Sequence, residues 1–149
     1  VLLVLLPTRF VFGWAKPVPI NPYNFYDIKK GMLQVSLAGV VSNFILAFIF
    51  SLLIRIFQMA GIVNYHVLAP LAAGASINII LGLFNLVPIP PLDGSKVVST
   101  LLPYEAAQKY ESFSRYGFLI IFLFLGFIWQ IIGGIGNFLY RILMIGLPI

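Results

Sequence analysis

The chain has 149 residues, 61% of them hydrophobic and 9% charged, with a net charge of +5 and a mean hydropathy of +1.06. A soluble domain carries about 25% charged residues, so the composition describes an integral membrane protein, and its length suits a single membrane domain over 1–149 with no appended soluble unit. The nine basic residues stand singly beside apolar runs, as topology-setting lysines and arginines do, rather than as a nucleic-acid surface. Cysteine is absent, which removes disulfides, thiolate nucleophiles and sulfur metal sites.

The opening VLLVLLP has no methionine and reads as the second half of a longer apolar helix. It lacks the basic n-region and small-residue cleavage site of a signal peptide, so the expectation is a fragment cut inside a helix. Pro7 to Gly31 forms the first loop. In its FVFGWAKPVPINPYNFYD stretch, Pro17, Pro19 and Pro22 exclude helix, while Val18 and Ile20 alternate as in an edge strand. Trp14, Tyr23, Phe25 and Tyr26 suit the headgroup interface, so a short β ribbon at the membrane surface is predicted.

The first complete span, 32–55, lies in a charge-free run of 24 residues between Lys30 and Arg55, more than the roughly 20 a bilayer helix needs. Within it Gly39 and Asn43 are four apart, as are Ala38 and Ser42, a spacing that lets helix backbones approach closely. Asn43 adds an amide that needs a partner in hydrocarbon, and packing and ligand-facing roles are both open to it. After a loop from Ile56 to His66, a second span covers 67–87, with Pro70 near its start. Asn78 and Asn85 lie two turns apart on one face. They form either a polar seam leading to a site or, for Asn78, interhelical hydrogen-bond glue.

Leu83 to Gly94 reads LFNLVPIPPLDG. Pro88, Pro90 and Pro91 remove backbone donors and block the helix, so the apolar stretch must break where it delivers Asp93. A polar break bearing a lone carboxylate is costly at membrane depth and marks ion, metal or substrate sites; the plainer alternative is a turn at Asp93-Gly94. Within the third loop, Pro88 to Ser114, residues Pro103 to Ser114 form a short interfacial helix. The last span covers 116–140, in a run of 25 between Arg115 and Arg141. Basic residues count four in the first loop (Arg9, Lys16, Lys29, Lys30), one at Arg55, three in the third loop (Lys96, Lys109, Arg115) and one at Arg141. That alternation places the first and third loops, and hence Asp93, on the cytoplasmic side of a cell membrane.

A catalytic zinc site wants about three protein ligands and an open position. The sequence has one histidine, His66, in a loop assigned to the opposite face from Asp93. Glu105 and Glu111 share the side of Asp93 but read as the wet face of the interfacial helix. No Ser-His-Asp set and no histidine pair at helical spacing can be built.

NLVPIPPLDG, with INIILGLFNL before it, resembles the C-terminal catalytic motif of site-2 proteases, the M50 family of intramembrane zinc metallopeptidases. GWAKPVPINPYNF resembles the membrane-associated ribbon of the compact bacterial and archaeal branch. AGVVSNFILA is similar to its AGPxxN helix, with Val40 where the family has proline. The resemblance implies that Asp93 is the third zinc ligand, beside two histidines and a glutamate base of an HExxH helix, and that Asn85 helps to hold unwound substrate. It also implies that Val18, Pro19, Ile20 and Asn21 pair with that substrate by strand addition; Asn43 is a further candidate substrate contact. No HExxH occurs in the chain. In the family it precedes the ribbon by a few tens of residues, so truncation accounts for its loss and this chain alone is expected to be inactive.

The expectation is therefore an all-α polytopic membrane protein, with about three complete transmembrane helices, a truncated N-terminal one and the ribbon. The whole protein would hydrolyse peptide bonds in membrane-embedded proteins, with the lipid bilayer as its medium and no nucleic-acid partner. The alternatives are a pseudoprotease that binds membrane proteins without cutting and, from another class, a transporter-like protein using the broken helix for an ion.

Overall fold

The computed structural model describes residues 25–145, which form six helices and, among themselves, no strand. Helix α1 (Ile28–Met59) begins at Asp27, whose carboxylate accepts from the Lys30 amide at 3.1 Å, and runs for 32 residues. Helix α2 (Tyr65–Asn85) starts at Asn64, whose side chain accepts from the His66 amide at 2.9 Å. Such caps satisfy donors that a helix start leaves orphaned. Both helices are long and apolar enough to cross a membrane. The first outruns its predicted 32–55 at both ends, and the second ends at Asn85 rather than at 87.

The helices are built inside out. The buried stripe of α1 carries Ser36, Val40, Ala47, Ser51 and Ile54, mostly small, while Val41, Ile45, Phe48 and Leu52 face outward. Small inner residues bring backbones together where no hydrophobic gradient drives packing. Gly74 and Gly82 of α2 lie against the Phe50 and Phe44 rings of α1, so the two helices run antiparallel. At the far end Ile54, Ala75 and Met144 form a buried cluster. There the Arg55 guanidinium donates to the carbonyls of Leu143 and Ile145, at 3.3 and 2.8 Å, at the C-terminal end of the last described helix.

Two expectations need correction. Asp93 does not sit in an open loop, because α3 (Asp93–Leu101) starts on it and α4 (Tyr104–Ser112), the predicted interfacial helix, follows. Nor is 116–140 one straight span. It is divided into α5 (Ser114–Leu123) and α6 (Leu125–Leu143), bent by 75° at Phe124. The bend serves two anchors. Gly117 of α5 lies against the Pro90 carbonyl, whereas Gly136 of α6 packs on Ile79 and Leu83 of α2. Two helices thus pass as spans, and a third does only if the bent pair counts as one. The predicted ribbon, with Val18, Pro19, Ile20 and Asn21, lies outside the described residues.

Candidate functional site

The proline segment shapes the site. Helix α2 ends with the Leu86 amide donating to Gly82 and Leu83, and the chain then turns, with the Leu92 amide donating to the Ile89 carbonyl at 2.9 Å. The Pro90–Pro91 peptide in this turn is cis. Gly94 comes back against the carbonyl of Leu86 so closely that any Cβ would overlap it. The turn therefore returns α3 onto Leu86, the C-terminal cap of α2, and only glycine fits there.

Asp93, in the first turn of α3, is thereby aimed at α1. Its Oδ2 would be 3.5 Å from a Cβ on Gly39. Gly39, expected from its spacing to be a packing residue, has this carboxylate as its neighbour, at a distance where a Cβ would make ordinary van der Waals contact, while Gly74 and Gly82 sit tightly against the Phe50 and Phe44 rings. Gly39 lies nine residues beyond Lys30, roughly 14 Å along α1 at 1.5 Å per residue. Asn43 is one turn further on and half-buried. Burial raises the Asp93 carboxyl above the usual carboxylate range, and the nearby Lys96 ammonium offsets part of that rise. The partial positive charge of the α3 N-terminus acts in the same direction as Lys96.

The two asparagine amides of α2 bond within their own helix. Asn78 Nδ2 donates to the Gly74 carbonyl at 2.8 Å and Asn85 Nδ2 to Leu81 at 3.0 Å. Each keeps an amide oxygen for other partners. His66 is exposed at the opposite end of α2, edge-on to Tyr65. Among the described residues no group of three His, Cys, Asp or Glu side chains could hold a metal. Asp93 is thus a single donor, and the described residues do not by themselves fit a zinc ion.

Two contacts from the next helices brace the turn. Tyr110 Oη of α4 donates to the Pro88 carbonyl at 2.8 Å, and Gly117 of α5 abuts Pro90. Burial pushes the Tyr110 hydroxyl above the usual phenol range, so it stays a donor across neutral pH. Replacing Tyr110 by Phe should cost about 1 kcal/mol, the net worth of one such bond, and a thermal melt beside an exposed Glu105→Gln control checks it. Lys96 pairs with Glu111 of α4 at 3.4 Å. Neither these braces nor α3 itself is among the elements expected from the sequence. An acidic residue just after Pro90-Pro91 was the available signal for a helix start.

An apolar helix broken by prolines to present one inward carboxylate is the class of site seen here. The sequence profile of Peptidase family M50 matches residues 51–128, and the chain belongs to that family. It is 38% identical over 117 residues to "Putative zinc metalloprotease YwhC" of Bacillus subtilis, covering 73% of this chain and 52% of that protein. A protein of the same designation from Methanocaldococcus jannaschii, MJ0611, is 34% identical over 92 residues, covering 60% of this chain and 46% of its own length. The chain therefore spans about half the length of the curated relatives it matches. No solved structure matches.

Proposed function

We propose that this chain is the C-terminal part, and a single membrane domain, of an intramembrane zinc metalloprotease. In this reading Asp93 supplies one metal ligand, and residues outside this sequence supply the histidines and the general base. The observation that carries it is the Asp93 carboxylate held beside Gly39, well inside the apolar length of α1, by a turn with three prolines. A carboxylate so placed is costly unless it serves a cation or a reaction. A zinc ion held by Asp93 and residues outside this sequence would supply Lewis-acid chemistry toward a peptide carbonyl and a water.

The chain's own residues then bind and orient substrate. Asn43, one turn beyond Gly39 on α1, and Asn85, the last residue of α2, would offer amide groups to a peptide whose own hydrogen bonds have been opened. Val18, Pro19, Ile20 and Asn21 would pair with that extended peptide as an added strand. With α1, α2 and the bent α5–α6 pair crossing a cell membrane, the basic residues put the Asp93 turn and the ribbon on the cytoplasmic side. The 149 residues alone, lacking HExxH, would not hydrolyse peptide bonds.

The test is metal removal from the intact protein reconstituted with a membrane-embedded substrate. Chelation should abolish cleavage and added zinc should restore it. Substrate capture without cleavage, unchanged by chelator, would replace the protease with a binding-only relative.

A further inference from the structure

We propose that the crevice between the start of α1, α3 and α4 is a binding site for the phosphate headgroup of an anionic phospholipid. The crevice has a volume of about 330 Å³, and its lining includes Ile28, Lys29, Met32, Lys96, Ala107 and Tyr104. Its walls are mainly hydrocarbon, and two ammonium groups stand on them against the single carboxylate of Glu111. Lys96 is fixed by that carboxylate at 3.4 Å, while Lys30, outside the crevice, pairs with Asp27 at 3.8 Å. Lys29 makes no ion pair among the described residues, so the net charge facing the space is positive.

The position selects a lipid over a soluble anion. Lys29 is in the first turn of the longest membrane-crossing helix, where a bilayer places its phosphates, and basic pockets at that level take anionic headgroups. The α3–α4 corner beside the crevice turns apolar side chains outward, with Leu101 81% and Tyr104 68% exposed. A phospholipid can set its phosphate at Lys29 and Lys96 and its glycerol and first methylenes along Ile28, Met32 and Ala107. A free phosphate would use the ammonium groups alone and leave the apolar wall wet. None of the crevice lining belongs to the Asp93 turn, although the Lys96 charge also acts on Asp93, and the proposal stands whether or not the protein is a protease.

The experiment is native mass spectrometry of the intact protein released from nanodiscs of equimolar phosphatidylglycerol and phosphatidylcholine, comparing variants of equal helical content. Retained phosphatidylglycerol should exceed phosphatidylcholine by about fivefold or more, since each surface lysine contributes roughly a factor of five. Lys29→Gln with Lys96→Gln should bring the two lipids to near parity. Lys30→Gln with Lys109→Gln, the same change in charge beside the crevice, should keep the preference. Ala107→Trp fills the space without changing charge and should also abolish it. Equal loss in both lysine pairs, or a preference that survives Ala107→Trp, would overturn the site in favour of diffuse surface attraction. Displacement of the lipid by millimolar inorganic phosphate would overturn the choice of a phospholipid.

Discussion

Asp93→Asn in the intact protein is expected to lower metal-dependent cleavage of a membrane-embedded substrate by more than about a hundredfold. Loss of a partner that merely orients a metal ligand costs roughly 10–100-fold in affinity or activity, and loss of a ligand itself should exceed that. Asparagine fills the same volume beside Gly39 and is neutral, so the substitution removes a desolvated charge without opening a cavity. The melting temperature and helical content should therefore hold while bound zinc falls below one per chain. Zinc content and initial cleavage rates, measured on one preparation, separate a lost ligand from a lost fold. Glu105→Gln, on the exposed face of α4, is the matched control and should change neither. Full zinc occupancy with full cleavage in Asp93→Asn would remove Asp93 from the metal site.

The parts of this molecule legible in its sequence are those governed by composition and by proline. Charge-free runs longer than a bilayer needs gave α1 and α2 to within a few residues, because their ends are set by Asp27 and Asn64 caps and by the Pro88 break. The prolines of LFNLVPIPPLDG located the turn and singled out Asp93. What stayed hidden depends on contacts distant in sequence. The bend at Phe124 has no proline, and only Gly126 stands near it. It reflects Gly117 meeting Pro90 while Gly136 meets α2, a conflict visible only once both partners are placed. Helix α3 is nine residues long, too short for its periodicity to stand out from a loop. Gly39 looked like helix packing because small-residue spacing carries the same signature whether a backbone or a carboxylate lies opposite it. Family resemblance assigned a role to Asp93, but its neighbour across the helix interface came from the geometry.

That neighbourhood makes Gly117 the residue whose smallest change should matter most to the fold. A Cβ at Gly117 would overlap the Pro90 carbonyl oxygen and lie 3.2 Å from Pro91 Cδ. The nearest obstacle is backbone in a proline turn, so no flexible side chain can swing aside. Overpacking of this kind costs about 1–3 kcal/mol, so Gly117→Ala should lower the unfolding midpoint clearly. Gly126→Ala, two residues past the bend, meets nothing within 4 Å. Alanine there should stabilise by less than the roughly 0.5–1 kcal/mol helix-interior difference from glycine, because Gly126 is only the second residue of α6. The two substitutions are chemically identical and both sit on apolar helices, so opposite shifts in one detergent would isolate the contact with Pro90 as the cause. The effect should also reach the site. Displacing Pro90 moves the turn that aims Asp93 at Gly39, so Gly117→Ala should weaken zinc retention and Gly126→Ala should not. Equal midpoints for both variants would mean that α5 does not brace the turn, and the bend at Phe124 would lose its explanation.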